Sequence, residues 1–466
     1  MKIVMFSINP LFGDRVLGGA PKQIKNISVY LGEMGHEVVI LSTRCADSCV
    51  EFRWHDNVLV KPILRFHQPF PQPYAIPAYD IANMMQDVAA HLDGADRFYM
   101  HDGEFLFPYA YQHIPTVVAL RDNVYPETIL GGFLFQGDRL IAVSEYSRRF
   151  YAETMGRFLP ELNGRLLVVS TGIDWDIFKP TPPQEILAIV PVDPVKDAIV
   201  IHPHRPEPSK GLPQTIAVAD LLVHKYGITN LKVLVPRWLE VGISPEVAAF
   251  YREMETEIKT RNLTQNFIFH EWIPQSLMPQ YYSLGAVTLG LGNFVESFGN
   301  SPYESLGCGT PAIVSRVSTH RELLPDHLID KVHFGDAEIA AVIAAQIIIE
   351  KRKTSPETLA YLHENYGVQS QLEGYAQAIL NAQCRDPLAY RYTPITEETN
   401  YCLPSWCYLW EGGIYHDFLA KHQTIPALQT LLSEYPEGFT QKEAIASGIS
   451  PAQLETWYRD GYLIVK

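Results

Sequence analysis

Short apolar runs alternate with amphipathic stretches along this chain, in two successive series of similar length. A chain that repeats this alternation buries its apolar runs most simply as strands of a parallel sheet, with helices covering both faces. In the first series Ile3–Ser7 and Glu37–Leu41 read as strands, with a helix over Lys22–Met34 that Gly35 ends. Phe98–Met100, Thr116–Leu120, Leu140–Ser144 and Leu166–Ser170 continue the pattern. Four prolines between Phe66 and Pro77 exclude helix and central strand there, so that segment reads as an extended loop rich in aromatics. Between residues 175 and 197 the periodicity fades and five prolines appear, which predicts a domain boundary. The alternation restarts at Ala198–His202 and runs through Leu231–Val235, Asn266–His270, Ala286–Leu291 and Pro311–Ser315, with helices between them. The expected fold class is α/β: two Rossmann-like, doubly wound domains facing across a cleft.

Within the second series, Glu296-Ser-Phe-Gly-Asn-Ser-Pro-Tyr-Glu304 follows a strand and reads into a helix. Glu296 and the backbone N–H groups after it would therefore sit where open α/β sheets bind ligands, at a strand's carboxyl end and a helix start. Glu304 is expected about two helical turns on, roughly 12 Å of rise at 1.5 Å per residue. Two carboxylates so spaced suit an elongated ligand with hydroxyls near both ends, such as a sugar nucleotide. A plain helix start with an acidic first turn would read the same way.

Bulk properties narrow the function classes. The 466 residues suggest two domains and a small third. A hydrophobic content of 47% with mean hydropathy near zero suits a soluble globular chain. The net charge of -15 argues against an electrostatic grip on nucleic acid or anionic lipid. Six cysteines in so long a chain read as free thiols, and their spacing suggests no zinc site. No apolar run has the length needed to span a membrane, and Lys2–Ser7 reads as a buried strand and not a leader, so a cytoplasmic location is expected. Residues 385–466 change character: Tyr401–Phe418 is dense in aromatics, and the end reads helix, turn, helix, short strand. That suggests a small, mainly helical extension like a winged-helix module. Its six basic against ten acidic side chains make a poor footprint for phosphate, so packing, oligomerisation or docking of a protein partner is the expected use.

Five landmarks in order make the chain resemble the retaining glycosyltransferases of family four, which have the GT-B fold. They are Gly18-Gly19, Gly35-His36-Glu37-Val38-Val39, Val143-Ser144-Glu145-Tyr146-Ser147, Arg205 with Lys210-Gly211, and the Glu296/Glu304 pair. The resemblance covers roughly residues 1–384. It implies an acceptor-binding domain over 1–180 with a crossover helix near 370–384, a donor-binding domain over 195–369, and an accessory module over 385–466. It also implies a sugar moved from a nucleotide-diphosphate donor to an unknown acceptor, with no metal and no further cofactor.

The residue chemistry suits that reading. A sugar-diphosphate donor leaves with negative charge growing on phosphate, and catalysis needs cations and N–H donors aimed there. Arg205 can fork onto phosphate oxygens and Lys210 adds a point charge, while Gly211 admits close backbone approach. Gly18 and Gly19 would let their loop approach phosphates without Cβ clashes. By resemblance, Glu296 contacts donor-sugar hydroxyls with the N–H groups of Phe298, Gly299 and Asn300, and Glu304 accepts from the ribose. The base is expected along residues 270–273, read by backbone.

Several positions depart from the family pattern. Arg121 stands where a histidine near the reacting sugar is usual; it would bind an anionic acceptor or the donor sugar, or pair with Asp122 as a structural feature. The usual Gly-Gly of a later loop reads Ser318-Thr319-His320-Arg321-Glu322. His101 and Asp102 resemble a segment on the acceptor side, although a buried structural histidine fits equally. The rival reading is a non-catalytic nucleotide-sugar-binding scaffold that recruits a partner through the tail.

Overall fold

The computed structural model describes residues 1–466 except 17, 69–72, 102, 104–107, 205–206 and 238–244. Contacts divide the chain into two units: residues 1–170, 369–416 and 422–466 form the first, and 171–368 with 417–421 the second.

The first unit is built on an eight-stranded sheet. Its strands are β1 (Lys2–Ser7), β2 (Glu37–Thr43), β3 (Phe52–His55), β4 (Val58–Leu64), β5 (Arg97–His101), β6 (Thr116–Leu120), β7 (Arg139–Ala142) and β8 (Leu166–Val168). They run in the order β3-β4-β2-β1-β5-β6-β7-β8. All pairs are parallel except β3 with β4. Helices α1 (Gly19–Glu33), α2 (Ala78–Leu92), α3 (Pro126–Leu134) and α4 (Glu145–Thr154) connect them. Ser144 caps α4 by accepting from the Ser147 N–H at 3.2 Å. Every residue of β6 is buried, as a central parallel strand covered on both faces must be. The strand order reverses between β1 and β5, the kind of switch point at which open α/β sheets bind ligands.

The second unit holds a six-stranded, wholly parallel sheet. Its strands are β9 (Ala198–Ile201), β10 (Leu231–Pro236), β11 (Phe267–His270), β12 (Val287–Gly290), β13 (Ala312–Ser315) and β14 (Asp330–Val332), ordered β11-β10-β9-β12-β13-β14. The helices are α5 (Leu212–His224), α6 (Pro245–Thr260), α7 (Met278–Leu284), α8 (Asn300–Gly307), α9 (Ala337–Glu350) and α10 (Pro356–Asn365). Here the order reverses between β9 and β12. Val200, Val233, Leu289 and Ile313 form the centre of its core with Leu212, Ile216 and Ala344 from the covering helices.

Helix α11 (Val368–Leu380) opens the return of the chain to the first unit, where Tyr375 and Ile379 join the core of β1 and β5. Beyond it the tail holds α12 (Pro426–Glu434), α13 (Gln441–Ala446) and α14 (Pro451–Arg459). It also holds short strands β15 (Asn400–Cys402), β16 (Cys407–Trp410), β17 (Gly413–His416), β18 (Lys421–Gln423), β19 (Phe439–Thr440) and β20 (Ile464–Val465). These strands make two three-stranded sheets. No helix among the described residues is long and apolar enough to cross a membrane.

Candidate functional site

The loops after β9 and β12 leave adjacent strands at the point where the second sheet's order reverses. They are laced together by backbone. Asn293 and Phe294 donate their N–H groups to Ser209 O at 2.9 and 3.1 Å. Gly211 follows the turn Pro208–Lys210 with φ 89. A Cβ at Gly211 would lie 2.5 Å from Gly292 N and 2.7 Å from Leu291 C. Both the left-handed φ and the contact exclude a side chain at this position.

This lacing sets Lys210 beside Glu296. Their Nζ–Oε1 distance is 2.7 Å, with the two side chains only 11% and 22% exposed. The ammonium also lies 3.5 Å from the centroid of the Phe294 ring, a cation–π arrangement. Arg205, expected as the second cation of this loop, lies outside the described residues.

Phe298 is buried and packs edge-on against Tyr303 and Tyr366, with centroids 5.5 and 5.4 Å away. Its side chain therefore anchors the loop. Gly299 takes φ 76 at the cap position, and Asn300 begins α8. The helix starts four residues after Glu296, so the expected two helical turns between the carboxylates are not there. The chain from 296 to 299 is not helical, because Gly299 turns it left-handed, and Glu304 lies just over one turn inside α8. Glu304 Oε2 accepts from the Tyr282 hydroxyl at 3.3 Å. Burial, with the Glu304 charge beside it, pushes the Tyr282 hydroxyl well above its usual pKa, so it stays a donor.

Residues that sequence reasoning did not assign complete the site. The His320 ring lies against Gly299: a Cβ there would meet Cε1 at 2.7 Å and Nε2 at 2.9 Å. Its Nδ1 is 2.7 Å from the Tyr303 hydroxyl of α8. Burial holds its pKa down to about 4, with Glu296 pulling it up and Lys210 pushing it further down. His320 was visible in the sequence only as part of a segment that departs from a glycine pair. At the end of β9, His202 is fully buried and neutral, its Nδ1 3.0 Å from Thr215 Oγ1. Among the described residues its Nε2 has no partner.

In the first unit, Gly18 takes φ 95 directly before α1, whereas a Cβ at Gly19 would meet nothing within 4 Å. Only Gly18 is thus required by the backbone. His101, expected on the acceptor side, has its side chain wholly buried at the end of β5. Its Nε2 faces the Ala20 carbonyl at 3.0 Å and must carry the proton, and Nδ1 accepts from the Tyr99 hydroxyl at 2.6 Å. Nε2 ties the end of β5 to the first turn of α1, and Nδ1 is held by Tyr99 within β5 itself, so both nitrogens are used inside the fold. Burial and the nearby Arg121 charge hold its pKa well down. Asp102 lies outside the described residues. Arg121 follows β6 and donates to Gln23 Oε1, which also accepts from Gln371 at 2.9 Å. Asp122 Oδ1 accepts from the Val124 and Tyr125 N–H groups and so caps the turn into α3. No group of His, Cys, Asp or Glu suited to a metal ion occurs among the described residues.

Residues 189–365 match the family described as glycosyl transferases group 1. No curated protein matches the chain by sequence. Among solved structures, a sucrose-phosphate synthase from Thermosynechococcus elongatus superposes with TM-score 0.64 at 16% identity, over 81% of this chain and 97% of that one. Anabaena HepE, solved with UDP, gives 0.59 at 17% identity over 81% and 99%. The trehalose-6-phosphate synthase OtsA gives 0.61 at 12% identity over 81% and 99%. The fold is GT-B, as in these structures, and the family match falls on the second unit.

Proposed function

We propose that this chain is a retaining, metal-independent glycosyltransferase whose second unit binds a nucleotide-diphosphate sugar and whose first unit binds the acceptor. The observation that carries the reading is the Lys210–Glu296 pair, 2.7 Å apart where the strand order of the second sheet reverses. The ammonium is the cation for the departing diphosphate. Arg205, in the same loop, is assigned the second positive charge. An arriving phosphate competes with Glu296 for Nζ, and the released carboxylate then accepts from hydroxyls of the donor sugar. The N–H groups of residues 298–300 at the start of α8 add donors of the same polarity. Glu304 takes the ribose hydroxyls, and residues 270–273 after β11 take the base. In the retaining reaction the acceptor hydroxyl attacks from the face the phosphate leaves, and the phosphate accepts its proton. Glu296 orients the sugar and does not attack it. Arg121 at the carboxyl end of β6 is assigned to the reacting side of the first unit.

Anabaena HepE has been solved with UDP-glucose, which supports uridine donors as the first to test. Titration calorimetry with UDP-, GDP- and ADP-glucose, and assays of nucleotide release with an acceptor panel, test the reading. One nucleotide sugar is expected to bind and turn over in the presence of EDTA. Lys210→Ala is expected to lose a charge-assisted contact of roughly 1.5–3 kcal/mol, about ten- to hundredfold in affinity. Wild-type turnover in both Lys210→Ala and Glu304→Ala would defeat the proposal.

A further inference from the structure

We propose that Asp417 is a positioning residue for the donor site, acting from a five-residue strap, residues 417–421, that belongs to the second unit. The inference rests on the reading of that unit as the donor unit. The strap joins β17 to β18, and its first residue carries a carboxylate that is completely buried.

That carboxylate holds both ends of one turn. After β13 the chain enters a single turn of 3-10 helix, Ser318–Arg321. Ser318 begins it with φ 47, in the left-handed region that serine rarely adopts. The Ser318 hydroxyl is buried and has no partner among the described residues, so its side chain does not offset the strain. Its N–H donates to Asp417 Oδ1 at 3.1 Å. At the other end, Arg321 Nη1 donates to Asp417 Oδ1 at 2.6 Å and Nη2 to Oδ2 at 2.8 Å. A guanidinium and a carboxylate paired by two parallel bonds fix direction as well as distance.

Between these two tied residues stand Thr319 and His320, both buried. His320 is the residue whose ring fills the space beside Gly299 and whose Nδ1 meets Tyr303 of α8. Glu296 Cγ lies 3.3 Å from the same point beside Gly299. Contact therefore runs from Asp417 through the strained turn to His320, then to Gly299 and Glu296. It reaches the end of the site assigned to the donor sugar, and Glu304 lies one helical turn further on. The strap does for Ser318 what a glycine would do by itself: it makes a left-handed turn affordable in place.

The test uses the full chain and compares binding of UDP-, GDP- and ADP-glucose with that of the matching free nucleotides, by calorimetry. For the nucleotide sugar that wild type binds, Asp417→Asn is expected to lose affinity on the order of tenfold to a hundredfold, since small misplacements of a positioned group cost that much. Affinity for the free nucleotide is expected to hold. Adding Ser318→Gly to Asp417→Asn is expected to restore most of the sugar-dependent affinity, because glycine takes the left-handed φ without help. Should Asp417→Asn not fold, Arg321→Lys keeps the charge, loses the fork, and is expected to show the same selective loss to a smaller degree. Equal weakening of nucleotide and nucleotide sugar, no change in either, or no rescue by Ser318→Gly overturns the assignment. Failure of wild type to bind any of the nucleotide sugars removes the donor reading itself and this inference with it.

Discussion

Lys210 and Glu296 are 86 residues apart in the chain and share a 2.7 Å ion pair. With most of both side chains out of water, the pair is screened less than a surface pair and has a definite geometry. Each residue was recognisable in the sequence from its own loop, but their pairing was not, because neither loop encodes the other's position. Glu304 shows the opposite limit: its identity was legible, and its distance from Glu296 was not, because one left-handed glycine delays the helix to Asn300. Phe298 was expected to matter through its N–H, and its ring proves to be the anchor of that loop. Phe298→Ala is therefore expected to cost about 3–5 kcal/mol of stability by leaving a cavity against Tyr303 and Tyr366, measured by urea unfolding. A loss below 1 kcal/mol would mean that the ring is not what holds residues 296–299 in place.

At the scale of elements, the β9 and β12 loops interlock through Gly211 and Gly292. A Cβ at Gly292 would lie 2.4 Å from Ser209 O, the reciprocal of the Gly211 contact. Gly211→Ala is expected to destabilise the second unit by roughly 1–3 kcal/mol, combining a left-handed φ with an overpacked backbone contact. It should also abolish nucleotide-sugar binding by moving Lys210 away from Glu296. An alanine variant with normal affinity in calorimetry would show that the loops do not need this contact. The central strands were readable because buried parallel strands are continuous apolar runs. The strands β3 and β4 were missed: β3 is a half-exposed edge, and β4 carries Lys61 and Pro62 among its apolar residues. In the tail, β15 pairs with β19 and β20, strands of two or three residues drawn from far along the chain. The final strand was read from the sequence, but pieces as short as β15 and β19 have no period to detect.

For the molecule as a whole, the buried His101, His202, His270 and His320 set a dependence on pH. All have pKa values held down, chiefly by burial, and His320 is held to about 4. Each is neutral when folded and free to protonate when unfolded. The stability they carry is therefore complete above the unfolded value near 6.5 and is lost as pH falls below it. Each contributes up to about 1.4 kcal/mol per pH unit until its folded pKa is reached. The melting temperature should fall steeply between pH 6.5 and 4.5, and His320→Gln should shallow that slope; a flat profile would count against neutral burial. Bound donor at a hundred times its dissociation constant should raise stability by about 2.7 kcal/mol, read as a thermal shift. By itself the sequence determined that the chain makes two series of strands and helices with charged, glycine-bearing loops between them, since apolar periodicity and turn chemistry are properties of neighbouring residues. Only the tertiary structure decided which of those loops meet. The order β10-β9-β12-β13 sets β9 beside a strand far along the chain, and the strap at Asp417 reaches the turn after β13 from 96 residues away. Strand order and long-range ties are settled by how whole elements pack, which no local pattern of residues records.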